Sequence, residues 1–225
     1  MSPRALRQRS PDAPAGRPAF LSRVPGIAWP AILSDRGALL WALTAGLDRT
    51  QWFSPDELAA GQAKQLAALF AHARSLSAFY RARLPGRPPE ARELQARGLA
   101  GIPILSRSDL QDHADAIMVQ PPASHGPAVL ARSSGSTGRM VAVGRTALCQ
   151  LYWEGLVLRE HFWHRREFSG TLAVTRANLG YGGGPTRVSQ PDWGPPVAEL
   201  FRTGPAHGIS LRTDVATQAD WLAGI

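Results

Sequence analysis

A single cysteine, Cys149, excludes an intramolecular disulfide and suits a reducing compartment. It stands in an ordinary apolar–polar pattern, so a core or surface thiol is its plainer reading and a catalytic nucleophile the alternative. Lysine is as scarce: Lys64 is alone among 25 basic residues, the rest being arginine. No stretch approaches the ~20 consecutive apolar residues that span a bilayer. Met1–Pro18 is basic but has no apolar run of the kind a signal peptide carries. A soluble cytoplasmic protein with no membrane partner is therefore expected.

What is present is a 225-residue chain with 44% apolar residues and a net charge of +8, enough apolar material for a real core. Such a basic balance raises the question of nucleic acid. The arginines, however, are spread along the chain and are not gathered on one helix with interleaved aromatics. No nucleic-acid partner is expected. A milder consequence is attraction to anionic small molecules.

Residues 1–19 read as a disordered basic tail, rich in Pro, Gly and Arg. Residues 20–225 read as one folded region. A turn-rich lead-in carries a short helix around Arg36–Ala45. Ser54-Pro55-Asp56-Glu57 is a helix start, with a capping serine, proline at the first position and glutamate three residues after the cap. Apolar residues at helical spacing then predict a helix to about Leu84, broken near Gly61 and ended by Pro85. A short helix over Ala91–Ala96 follows, then the extended stub Ile102–Leu105, then a helix entry capped by Ser106 with Asp109 at its third position.

Ala128–Ala131 reads as a buried strand and Met140–Gly144 as a second strand. Thr146 caps a helix with an apolar face of Leu148, Leu151, Tyr152, Leu156 and Phe162. Thr171–Thr175 and Ile209–Leu211 are further strands, and Thr217–Ala223 starts a helix with Trp221 and Leu222 inward. The fold class is α/β: a helical N-terminal lead followed by part of a mixed β-sheet flanked by helices.

The segment between the first two strands carries the chemistry. Ser133, Ser134, Gly135, Ser136, Thr137 and Gly138 put four hydroxyls and two glycines in six residues, and Arg139 follows. The glycines let the backbone turn tightly and bring its N–H groups to an anion. The hydroxyls can donate to phosphate oxygens, and the guanidinium can pair with phosphate charge. A P-loop would need a lysine after its second glycine and a helix behind it. This segment has neither, and a plain Ser/Gly turn is its bland alternative.

Ser-Ser-Gly-Ser-Thr-Gly-Arg between two strands closely resembles the phosphate loop of the adenylate-forming superfamily. With Phe79-Tyr80, Ile102–Leu110 and Val143-Gly144-Arg145-Thr146 around it, the region resembles the N-terminal part of phenylacetate–CoA ligase-like enzymes. The likeness is good over Ser54–Thr146 and loose elsewhere. Arg139 and Met140 stand where that family usually has lysine and proline.

The resemblance implies a partial adenylate-forming large domain in residues 20–225, with the C-terminal remainder absent. It implies ATP as substrate and a small carboxylic acid converted to an acyl-adenylate, with coenzyme A as the acyl acceptor. The loop Ser133–Arg139 would then hold the β- and γ-phosphates. Mg2+ ligands and the adenylating lysine are expected outside this chain, so no catalytic residue is assigned and the chain alone is expected to be inactive. The alternative is a truncated relative, catalytically inactive, that acts as a binding protein or is a gene fragment. The acid and the oligomeric state stay open.

Three further features stand out. Gly180–Pro185 reads as a mobile loop, with a second anion-binding nest as the alternative. His161 and His164, with Glu160 and Glu167, fall on one helix face and could hold a metal, but Arg165 and Arg166 oppose a cation, so a surface helix is expected. Trp193, among Pro191, Gly194, Pro195 and Pro196, reads as part of a packed irregular loop.

Overall fold

Nine α-helices and five strands are laid out along the described part of the chain. The computed structural model describes residues 18–84, 86–133 and 139–225. The expected tail therefore lies outside the described residues up to position 17, as does Pro85.

Helix α1 covers Asp35–Thr50, longer at its C-terminal end than the short helix expected. Helix α2, Pro55–Leu76, begins as the sequence dictates. The Ser54 hydroxyl accepts from the Glu57 amide at 3.3 Å, and the Glu57 carboxylate accepts from the Ser54 amide at 2.8 Å. Gly61 does not break this helix. A single glycine costs only ~1 kcal/mol against alanine, which the flanking turns absorb. The break falls instead at Ser77, which adopts an extended backbone and starts α3, Ala78–Arg83. Its buried hydroxyl accepts from the Tyr80 amide at 3.3 Å and donates to the Ala116 carbonyl at 2.6 Å. Serine favours such caps because its side chain competes for backbone partners. The break expected near Gly61 is thus corrected to Ser77.

Helices α4 (Ala91–Arg97), α5 (Arg107–Asp112) and α6 (Ala114–Ile117) follow. Strands β1, Ala128–Arg132, and β2, Ala142–Thr146, pair antiparallel, with Leu130 opposite Gly144. Both are largely exposed, including Val129, Leu130 and Val143. The expected burial of the first strand is therefore incorrect. A short apolar run has no periodicity that separates a buried strand from an exposed hairpin.

Helix α7, Ala147–Trp163, is capped by Thr146, whose hydroxyl accepts from the Cys149 amide at 3.2 Å. Its buried residues are Leu151, Glu154, Gly155, Leu158 and His161, while Tyr152 and Leu156 are exposed. The inner face is thus rotated from the one expected. The rotation turns a glutamate inward, and Arg36 accounts for it. Its guanidinium bridges the carboxylates of Glu154 and Glu199, so the buried charge is paired.

The remaining elements are β3 (Leu172–Arg176), β4 (Arg187–Gln190), α8 (Val197–Leu200), β5 (Ala206–Ser210) and α9 (Val215–Ala223). Strand β4 was not expected. In α9, Trp221 is half-buried but Leu222 is exposed, so only one of the two expected inward residues turns in.

The sheet of three has the order β3-β5-β4, with β5 parallel to β3 and antiparallel to β4. It is mixed, as expected. In the central strand, a Cβ at Gly208 would stand 2.9 Å from Val188 and 3.2 Å from Leu179, so only glycine fits between its neighbours.

The described residues divide into two compact units, one drawn from Met1–Thr44 with Glu154–Ile225 and the other Ala45–Trp153. The first has its own core of Leu40, Leu158, Val197, Leu200, Phe201 and Ile209. Aromatic rings surround Phe201: Phe20 stacks on it at 4.8 Å, and Trp41, Phe162 and Phe168 contact it between 5.3 and 6.1 Å. The second unit holds α2 to α6 and the hairpin.

Candidate functional site

The segment singled out by its hydroxyls and glycines joins β1 to β2, and no helix begins behind it. Its ends are tied to each other. The Ser133 amide donates to the Val141 carbonyl at 2.9 Å, and the Val141 amide donates to the Ser133 hydroxyl oxygen at 2.9 Å. Ser133 therefore closes the neck of the loop, and its own O–H remains a donor. Ser134, Gly135, Ser136, Thr137 and Gly138 lie outside the described residues.

Arg139 stands at the other end of the loop, exposed. Its guanidinium meets Asp112 at 2.6 Å. Its carbonyl accepts from Gln111 Nε2 at 2.6 Å and from Arg107 Nη2 at 3.4 Å. Three side chains of α5 thus grip one loop residue, two by the backbone and one by the side chain. Across the hairpin, Arg132 ends β1 opposite Ala142.

Helix α5 is itself firmly placed. The Ser106 hydroxyl accepts from the Asp109 amide at 3.1 Å, and the Asp109 carboxylate accepts from the Ser106 amide at 2.8 Å. Asp109 also pairs with Arg83 at 3.3 Å. The hydrogen bonds from Ser106, backbone first and hydroxyl second, hold the Asp109 carboxyl below the usual aspartate range, and the positive charge of Arg83 adds to this. The sequence pointed to this cap but not to what the helix does. Arg107, Gln111 and Asp112 read as scaffold. The signal available was a short helix ending in a carboxylate, an unfavourable sign at a helix C-terminus unless a cation faces it.

The histidine pair divides. His161 is buried, 8% exposed, and is not on a surface face. Its Nδ1 lies 3.0 Å from the Arg166 guanidinium, and its ring packs against Phe168 and Trp193. Burial, and then the charge of Arg166, push its pKa down. A neutral ring accepting at Nδ1 from Arg166 fits both facts. His164 is exposed. Among the described residues, no three His, Cys, Asp or Glu side chains are grouped to hold a metal ion.

Trp193 belongs to the packed irregular loop expected. Its indole donates to the Gly170 carbonyl at 3.0 Å and its amide to the Thr203 hydroxyl at 2.9 Å. It also borders a cavity of about 210 Å³ on the β3-β5-β4 sheet, with Leu172, Val174 and Val188 as apolar lining and Arg176, Asn178 and Gln190 as polar lining. The loop Gly180–Pro185 is closed at its neck by the Gly180 amide donating to the Pro185 carbonyl at 2.9 Å. The Ser210 hydroxyl holds the Leu179 carbonyl beside it at 2.8 Å. Cys149 is exposed in the first turn of α7. The Thr146 hydroxyl, and less strongly the charge of Arg145, lower its pKa.

Among the described residues no helix is long and apolar enough to cross a membrane. No protein-family model matches the chain, and no curated protein is significantly similar to it.

Proposed function

We propose that Ser133–Arg139 holds the phosphates of ATP, and that the chain is the N-terminal part of an ATP-dependent carboxylate ligase resembling phenylacetate–CoA ligases. In that reaction a carboxylate attacks the α-phosphate and releases pyrophosphate, and a thiol, that of coenzyme A, takes the acyl group. The chain's own contribution is electrostatic. Hydroxyls, backbone amides and one guanidinium stabilise charge on the departing pyrophosphate. On this reading the domain is part of an adenylate-forming fold and works in the cytoplasm. Among the described residues no three His, Cys, Asp or Glu side chains are grouped to hold a metal ion, and on this reading the Mg2+ ligands lie outside this chain.

The observation that carries the reading is the setting of the loop. It spans an antiparallel hairpin whose neck is closed by Ser133, and it ends on an exposed arginine whose backbone is pinned. A strand-to-helix turn would have favoured a P-loop instead. The deciding measurement is calorimetric titration of the purified chain with ATP. A charge-assisted contact is worth roughly 1.5–3 kcal/mol, so Arg139→Ala should weaken ATP by about ten- to a hundredfold. An affinity unchanged within twofold would remove Arg139 from the site and with it the main support for the loop.

A further inference from the structure

Arg139 already has an anion. Its guanidinium pairs with the Asp112 carboxylate at 2.6 Å, and both side chains are about half exposed, 60% and 49%. Neither has another charged partner among the described residues, so nothing else fixes the pair. The backbone of Arg139 is held separately, by Gln111 and Arg107 on its carbonyl. The side chain can therefore change partners while the residue stays in place. Asp112 is also the last residue of α5, where a negative charge faces the negative end of the helix. Its position is explained by Arg139 and not by the helix.

We propose that Asp112 is a resident counter-ion, which a phosphate group must displace to reach Arg139. This rests on the reading of the loop as a phosphate site. Before binding, the carboxylate keeps the guanidinium oriented and partly neutralised. On binding, a phosphate with its greater charge and several acceptor oxygens takes the guanidinium, and Asp112 turns to solvent. An exposed ion pair is weak enough for this exchange. The device sets a threshold. Singly charged anions compete poorly with a carboxylate already in contact, whereas polyphosphates compete well.

The test is titration of the purified full chain with inorganic tripolyphosphate at low ionic strength. The variants are Asp112→Asn, Asp115→Asn, Arg139→Ala and the double variant Asp112→Asn/Arg139→Ala, each first shown to be folded by circular dichroism. Asp112→Asn should bind about two- to fivefold tighter than the parent chain. That gain should shrink as salt is raised. Asp115→Asn removes the same charge from an exposed position on α6 and should stay within twofold. In the double variant the gain should vanish, because no guanidinium remains to be freed. Equal or weaker binding by Asp112→Asn, an equal gain in Asp115→Asn, or a gain that survives loss of Arg139 would each overturn the counter-ion while leaving the phosphate loop intact. If neither the parent nor Asp112→Asn binds tripolyphosphate, the loop reading itself fails and the counter-ion goes with it.

Discussion

Replacing Gly204 by alanine should destabilise the unit that contains β5 by about 2–4 kcal/mol. The turn before β5 lies against the backbone of Ser169 and Gly170. A Cβ at position 204 would stand 2.4 Å from the Gly170 carbonyl oxygen and 2.5 Å from that of Ser169. Ordinary contact requires a retreat of about 1 Å. The opposing atoms are main chain, so no rotamer change relieves the clash. Two hydrogen bonds are caught in the movement. The Gly204 amide donates to the Phe168 carbonyl at 2.8 Å, and the Trp193 indole donates to Gly170 at 3.0 Å. Overpacking of this kind costs roughly 1–3 kcal/mol, and each weakened bond adds about 1 kcal/mol. Stiffening of the unfolded chain by alanine returns about 0.4–1 kcal/mol.

Urea unfolding read by tryptophan fluorescence measures the difference, with the slope checked for constancy. Gly46→Ala is the control. It lies inside α1 with no atom within 4 Å of an added Cβ, and should stabilise by about 0.5–1 kcal/mol. A Gly204→Ala variant within ~0.5 kcal/mol of the parent would show that the packing at this turn is not as tight as described.

Buried neutral His161 has its pKa held below the ordinary histidine value of 6.5. The unfolded chain then takes up the proton first, so stability is full above pH 6.5 and falls as pH drops through the lower folded value; His161→Gln should flatten that part of a stability–pH curve. Ser106→Ala removes the cap of α5 and should cost about 0.5–2 kcal/mol in urea melts of the second unit. It should also weaken the low-pH sensitivity that comes from Asp109, whose depressed pKa gives stability that is lost as pH falls below 3.8. Thr146→Ala should raise the pKa of Cys149 and slow its reaction with a disulfide reagent at neutral pH; an unchanged pH–rate curve would contradict the Thr146 contact.

The readable parts of the fold were those in which a side chain acts on its own neighbours. Ser54 with Glu57, Ser106 with Asp109 and Thr146 at the start of α7 are contacts three residues apart, and sequence spacing states them directly. The hairpin placement of the loop was legible for the same reason, from β-branched residues immediately after Arg139. What stayed hidden depends on partners distant in sequence. Glu154 turns inward because Arg36 waits for it, and Ser77 breaks a helix because Ala116 offers a carbonyl. Strand β4 is four residues with alternation too short to read. Within the candidate site, the hydroxyl–glycine run was visible, but the hold of Gln111 and Asp112 on Arg139 was not, since nothing local connects α5 to the far side of a hairpin.

The first unit is discontinuous in sequence, and this bears on the order in which the protein can form. The Leu21 amide donates to the Leu200 carbonyl at 2.7 Å, and Phe20 bridges to Phe201. The sheet is likewise unfinished until its central strand β5 arrives, because β3 and β4 touch only through it. A chain leaving the ribosome therefore has all of Ala45–Trp153 in hand before the other unit has its central strand. The entropic charge for closing so long a loop grows only with the logarithm of its length, but the waiting time is real, since non-local pairing is slow. During that interval α1 lacks Leu200 and Phe201, and the rings of Phe20 and Trp41 lack Phe201, the ring at the centre of their cluster. A pause in synthesis between Arg176 and Leu200 would prolong this exposure.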